Sequence, residues 1–258
     1  MDGVNKTLYI PLYGKALVSR QGRILHDPMA EQIWEKEGFP MKRKSRSKYL
    51  AYYMAMRAAA FDRWTLEQTG KDKDAIVLHL GCGLDSRVCR VKCENIWYDI
   101  DFPQVIAERR NHFVETDSSR MLGTDLRDLG FLEALPGDRA IVIMEGISMY
   151  LSAAELEALF RGLSHRFREV KLLMDCYSVF AARASRFKNP INDVGVTQVF
   201  GLDDPNVPGL RFLKEHPLPH EDLAALLTGT EGRIFRGLYA GRSARKLYKL
   251  YEYEADVG

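Results

Sequence analysis

Four short apolar runs dominate the middle of the chain: AIVLHLG from Ala75, NIWYDID from Asn95, AIVIMEG from Ala140 and VKLLMDCYS from Val170. Each has the length of a single strand, and its near-continuous apolar character is what a strand covered on both faces requires. The segments between them are amphipathic or polar. The clearest, SAAELEALFRGLSHRF, opens with Ser152 and Glu155 at capping-box spacing and keeps Leu156, Leu159, Phe160, Leu163 and Phe167 on one stripe. Strand alternating with helix predicts an α/β fold, Rossmann-like and doubly wound, with a mostly parallel sheet whose ligands bind at the carboxyl ends of the strands.

The flanks read differently. Residues 1–70 are expected to be a helical cover: DPMAEQIWEKEGF places Met29, Ile33 and Trp34 on one face, and KYLAYYMAMRAAAFDRW is long and rich in Ala and Met. Residues 71–178 hold the alternating core. Residues 179–215 contain RFKNPINDVGVTQVFGLDDPNVPGL, a stretch without periodicity that reads as a lid or substrate loop. Residues 216–258 are expected to hold a helix, PHEDLAALLTG, and two strands, RIFRGLYAG and KLYKLYEYE, that complete the sheet in antiparallel fashion. The alternation of Leu or Tyr with charge in the last one is that of an edge strand. The whole of 1–258 reads as one domain.

Composition narrows the partners. A formal net charge of +2, from 37 basic and 35 acidic groups, leaves no broad field to draw the chain to nucleic acid or a membrane surface. The run KRKSRSK beside Pro40 reads as a solvated connector. No apolar run approaches the roughly 20 residues of a membrane span. The opening MDGVNKTLYI lacks the profile of a signal peptide, so a cytoplasmic protein with reduced thiols is expected. Cys82, Cys89, Cys93 and Cys176 include no CxxC pair, and no metal site is expected.

The first apolar run ends in LGCGLDSR. Gly81 and Gly83 let the backbone turn sharply and lie against a ligand. A nicotinamide site has a third glycine three residues on, but that position is Ser86, preceded by Asp85, whose carboxylate would repel a pyrophosphate. Asp101, at the end of WYDID and about 20 residues after Gly81, stands where a nucleoside site places the acid that accepts from the ribose hydroxyls. Asp125 in GTDLRD follows a third expected strand and suits an exocyclic adenine amine, with the Leu126 N–H facing the ring. A nucleoside anchored at both ends, with phosphate disfavoured and carboxylates in attendance, is matched by the cationic S-adenosylmethionine. A short-chain dehydrogenase would need the third glycine and a Tyr-x-x-x-Lys pair, and the chain has neither.

These residues resemble the class I S-adenosylmethionine-dependent methyltransferases, and within them the leucine carboxyl methyltransferase and tetracenomycin-type polyketide O-methyltransferase group. LGCGLDSR is similar to that group's LGxGxDTR, and MEGISMYL to its EGvxxYL; WYDIDFPQVI, GTDL, IPLYGKALVSR, ILHDPMA and the arginine of YMAMRAAAFD add to the likeness. The resemblance runs from about Tyr9 to Leu151 and implies a seven-stranded sheet with an antiparallel C-terminal strand. It implies that Gly81, Gly83 and Asp85 line the methionine half of the cofactor, Asp101 the ribose, and Asp125 with Leu126 the adenine. Arg57 would pair with the cofactor carboxylate and Glu145 with its amino group. Tyr150 would face the acceptor or serve as a structural tyrosine before a helix cap, and Arg87 would bind a carboxylate or fix a loop. Two positions depart from the pattern: His79 stands where the class has an acid, and reads as a packed histidine; Ser86 replaces threonine. The implied function is O-methylation of a carboxylate or hydroxyl of a small, polyketide-like or other secondary-metabolite molecule. The alternatives are methylation of a protein C-terminal carboxylate and a non-catalytic S-adenosylmethionine-binding module.

Overall fold

The computed structural model describes residues 8–37, 47–188 and 199–255. The four apolar runs are β1 (Ile76–Leu80), β2 (Trp97–Asp101), β4 (Arg139–Met144) and β5 (Glu169–Tyr177), and β3 (Ser119–Gly123) lies between β2 and β4 in the chain. With β6 (Arg211–His216) and β7 (Tyr248–Glu254), the described residues form a seven-stranded sheet of order β3-β2-β1-β4-β5-β7-β6. The first five strands are parallel, and β7 runs antiparallel to both of its neighbours. The expected doubly wound, mostly parallel sheet is therefore present. Its strand order reverses between β1 and β4, which opens the crevice where such sheets bind ligands.

The period of two along each strand divides the core. Ile76, Leu78 and Leu80 of β1 join Val142, Met144, Leu172 and Met174 on the face covered by α6 (Ala153–Arg166). Val77, Ile141, Ile143 and Leu173 meet Phe61 and Trp64 of α3 (Lys48–Lys71) on the other. Helix α6 starts as its sequence predicts: Ser152 Oγ accepts from the Glu155 N–H at 3.3 Å, and Glu155 accepts from the Ser152 N–H at 2.7 Å. Helices α1 (Tyr9–Arg20) and α2 (Pro28–Glu37) form a cover with α3; Ala16, Ile33, Met29 and Trp34 pack there against Cys82, Leu84 and Ile106 of the core.

The C-terminal part departs from expectation in two respects. RIFRGLYAG is helical, divided between α9 (Gly229–Phe235) and a π-helical turn at Arg236–Ala240. Its aromatic residues, Phe235 and Tyr239, stand four apart, the spacing that shares one helix face, and stack with ring centroids 5.4 Å apart. The sixth strand is instead RFLKEH, whose exposed and half-buried side chains carry no apolar run because it is the sheet's edge. The tail strand β7, expected at the edge, is inside the sheet: Leu250, Tyr251, Glu252 and Tyr253 are all buried between β5 and β6. Helix α8 (Glu221–Ala225) lies within the expected PHEDLAALLTG. Helix α7 (Val179–Lys188) begins the segment read as a lid. Residues 189–198 of that segment, and most of KRKSRSK, lie outside the described residues.

Candidate active site

The turn after β1 needs its glycines. Gly81 has φ of 66° and Gly83 of 53°, in the left-handed region that side chains disfavour. A Cβ on Gly81 would also lie 2.1 Å from Cγ2 of Ile147. Asp101, at the end of β2, fixes the turn: one carboxylate oxygen accepts the Gly83 N–H at 2.8 Å, and the other the Phe102 N–H at 2.7 Å. Burial raises the pKa of Asp101 against the opposing pull of those two bonds. Each oxygen retains a lone pair for a further donor.

Above the turn lies a cavity of 540 Å³, bounded by the carboxyl ends of β1, β2 and β4 and by the N-terminal cover. Arg57, Gly81, Gly83, Asp85, Asp101, Asp125, Leu126, Glu145 and Tyr150 all line it, whereas Arg87, also singled out from the sequence, does not and is fully buried beside it. At one end Asp125 is held by a two-pronged ion pair with Arg127, 2.9 Å from Nε to Oδ1 and 2.5 Å from Nη2 to Oδ2. That hydrogen bonding draws the Asp125 pKa down. Another wall is apolar, built from Leu8, Ile10, Leu50, Met54 and Met149, with Tyr150 and Tyr177 beside them. The described part of the lid segment borders this wall: Phe200 N–H donates to Met149 O and Leu202 N–H to Tyr177 O, each at 2.8 Å.

The far end is a buried set of ion pairs. Arg57 Nε donates to Glu145 at 3.0 Å, and its Nη1 lies 3.1 Å from Asp175. Arg87, placed by the one-turn helix α4 (Arg87–Arg90), is fully buried; it bonds Glu145, sits 3.2 Å from Asp85 and donates to Asp62 at 2.6 Å. Asp85 is gripped further by Lys15 at 2.9 Å and Arg90 at 3.0 Å. Burial alone would raise the pKa values of Glu145 and Asp85. The neighbouring Arg87, with Arg57 and Lys15 at Glu145 and Lys15 and Arg90 at Asp85, outweighs it: Glu145 falls to about 2 and Asp85 well below the usual range.

This changes the electrostatic reading of the turn. Asp85 does not present a bare negative charge that repels phosphate, because three cations surround it. The end of the cavity is a balanced array of carboxylates and guanidinium groups, the donor set that suits a ligand carrying both an ammonium and a carboxylate. With carboxylates of the nucleoside type at the other end, the residues present fit S-adenosylmethionine.

Several supporting residues carry no signal in the sequence pattern. Asp27 caps α2 by accepting the Ala30 N–H at 3.0 Å, and also accepts from Ser86 Oγ and Arg90 Nη1, each at 2.5 Å. Its place before Pro28 is a helix-start signal, but its grip on the turn is not legible there. Arg109 of α5 (Pro103–Arg109) donates to the carbonyls of Gly83 at 3.0 Å and Asp85 at 2.7 Å, and to Asp99 at 2.6 Å. His79 is packed between Asp99 at 3.1 Å and Arg87 at 3.2 Å, and burial lowers its pKa, which keeps the ring neutral. The cysteines are unpaired thiols. Among the described residues one group of possible metal ligands, Glu37, Glu108 and His112, comes together away from the cavity. No described helix is long and apolar enough to cross a membrane.

Comparison with known proteins accords with this geometry. The family model for leucine carboxyl methyltransferase matches residues 6–164. The tetracenomycin polyketide synthesis O-methyltransferase TcmP of Streptomyces glaucescens is 28% identical over 262 residues, with 98% of this chain and 97% of that protein covered. The S-adenosyl-L-methionine-dependent methyltransferase dpfgK of Gibberella zeae is 26% identical over 252 residues, covering 86% of this chain and 84% of its own. Among solved structures, magnesium protoporphyrin IX methyltransferase from Synechocystis PCC 6803 with bound SAH shares the fold, with a TM-score of 0.52 at 10% identity over 92% of this chain and 99% of that one.

Proposed function

Because the chain belongs to the leucine carboxyl methyltransferase family, and is thus an S-adenosylmethionine-dependent methyltransferase, we propose that it methylates an oxygen of a small, largely apolar molecule. The observation that carries this reading is the division of one cavity into a nucleoside end, a zwitterion end and an apolar wall. The full-length likeness to a polyketide O-methyltransferase supports a polyketide-like acceptor.

When bound, S-adenosylmethionine supplies a methyl group activated for in-line displacement by its sulfonium. The chain's own residues bind and orient. Asp101 accepts from the ribose hydroxyls with the lone pairs left by Gly83 and Phe102. Asp125 and the Leu126 N–H serve the adenine. Gly81, Gly83 and Asp85 border the methionine portion, Arg57 takes its carboxylate and Glu145 its ammonium. Leu8, Ile10, Leu50, Met54 and Met149 exclude water from the transfer, and Tyr150 stands against the acceptor. A carboxylate acceptor arrives ionised, whereas a hydroxyl would gain from a base.

The test is calorimetry followed by transfer of a labelled methyl group. Asp101→Ala is expected to weaken S-adenosylmethionine binding by at least about tenfold, the loss of a hydrogen bond to a charged group. Label is expected on phenolic or carboxylate-bearing aromatic polyketides. Transfer only to peptides ending in a leucine carboxylate would replace the small-molecule reading with a protein one. Cofactor binding with no transfer across the panel would indicate a binding module.

A further inference from the structure

Arg57 is held by more than its ion pair with Glu145. Its guanidinium carries five N–H donors. Nε donates to Glu145 at 3.0 Å. Nη1 donates to the Tyr248 hydroxyl at 2.7 Å and lies 3.1 Å from Asp175 Oδ2, while that hydroxyl donates to the same Oδ2 at 2.5 Å. The three groups close a ring of contacts on one side of the fork. Among the described residues Nη2 has no hydrogen-bond partner, although Arg57 lines the cavity. Neither Asp175 nor Tyr248 lines it.

The sheet topology brings these two residues behind Arg57. Asp175 is near the carboxyl end of β5, and its other oxygen accepts the Gly146 N–H at 2.7 Å, which ties it to the turn after β4. Tyr248 begins β7; because β7 is antiparallel to β5, its first residue pairs with Tyr177 at the last residue of β5. The inserted antiparallel strand therefore delivers a hydroxyl to the cofactor end of a parallel sheet. Both side chains are buried, so neither has water as an alternative partner.

We propose that Asp175 and Tyr248 are positioning residues, which fix the Arg57 fork so that its unpartnered Nη2 edge meets the carboxylate of the cofactor's methionine portion. This rests on the reading of Arg57 as the partner of that carboxylate. Asp175 supplies the charge that orients the guanidinium, and the Tyr248 hydroxyl closes the triangle so that Arg57 cannot turn about its Nε bond to Glu145.

The test compares two ligands by calorimetry: S-adenosylhomocysteine, and 5′-methylthioadenosine, a nucleoside thioether without the amino-acid group. Tyr248→Phe removes one hydroxyl, and is expected to weaken S-adenosylhomocysteine about fivefold, the worth of one hydrogen bond. Affinity for 5′-methylthioadenosine is expected to stay unchanged, because that ligand offers Arg57 no carboxylate. Asp175→Asn is expected to move the first ligand further in the same direction and to spare the second. Equal weakening of both ligands by Tyr248→Phe, or no weakening of either, overturns the proposal; since this variant changes a single buried hydroxyl, it carries the test even if Asp175→Asn fails to fold. Arg57→Lys separates the two levels. If it lowers the ratio of the two affinities and Tyr248→Phe does not, only the positioning role falls; if it leaves the ratio unchanged, the assignment of Arg57 falls with it.

Discussion

Replacing Arg109 by methionine removes a charge that pairs with Asp99 of β2 and donates to two backbone carbonyls of the cofactor turn. Arg109 is fully buried and Asp99 nearly so, and their 2.6 Å contact has no access to water. Removing one member of such a pair costs about 3–5 kcal/mol, because the other charge stays buried and unpaired. The low end applies here, since Trp97 Nε1 still donates to Asp99 at 3.0 Å and His79 remains at 3.1 Å. The carbonyls of Gly83 and Asp85 also lose a donor, at about 1 kcal/mol each. Arg109→Met is therefore expected to lower the unfolding free energy by about 5 kcal/mol, a large share of the ~5–15 kcal/mol that holds a folded protein together. Urea unfolding followed by tryptophan fluorescence measures it. The double variant Arg109→Met, Asp99→Asn removes the stranded charge as well, so it should be more stable than the single one, with a coupling of about 2 kcal/mol. A loss below about 1 kcal/mol for the single variant, or strictly additive losses in the cycle, would refute the clamp.

Glu145 and Asp27, in other buried contacts around the turn, give two further expected outcomes. Glu145 is held at about 2 in the folded protein against an ordinary 4.5, so the unfolded chain binds its proton first as the solution is acidified. Its contribution is complete above 4.5 and is lost as the pH falls from 4.5 towards 2, on the order of 3 kcal/mol in all; Glu145→Gln should flatten that part of the stability profile. Asp27→Ala strips the cap of α2 and the contacts to Ser86 and Arg90, and a lost cap alone costs about 1 kcal/mol. Limited proteolysis is expected to cut within residues 8–37 faster in this variant while the sheet survives, and equal cutting rates would show that Asp27 does not hold the cover to the turn.

What the linear chain determined was whatever depends on local periodicity and on backbone geometry. Continuous burial marked β1, β2, β4 and β5 because both faces of those strands are covered, and the Ser152 to Glu155 spacing marked the start of α6. Gly81 and Gly83 announced the turn because left-handed backbone leaves few alternatives. The acids after successive strands were legible because parallel topology puts every strand's carboxyl end on one side. Strand β6 was missed because an exposed edge imposes no apolar pattern, and RIFRGLYAG was misread because a short apolar stretch satisfies two periods at once.

Only the tertiary structure decided how the charges pair. Asp85 reads in the chain as a lone carboxylate beside a glycine turn, yet Lys15 of the cover and two arginines of α4 neutralise it. Arg57, Asp175 and Tyr248 are separated by more than a hundred residues at one step and meet because β7 enters the sheet antiparallel beside β5. The physical reason is range. Hydrophobic periodicity and backbone preference act between residues a few positions apart, whereas a buried charge must find its counter-ion in space, and the chain order places no bound on where that partner comes from.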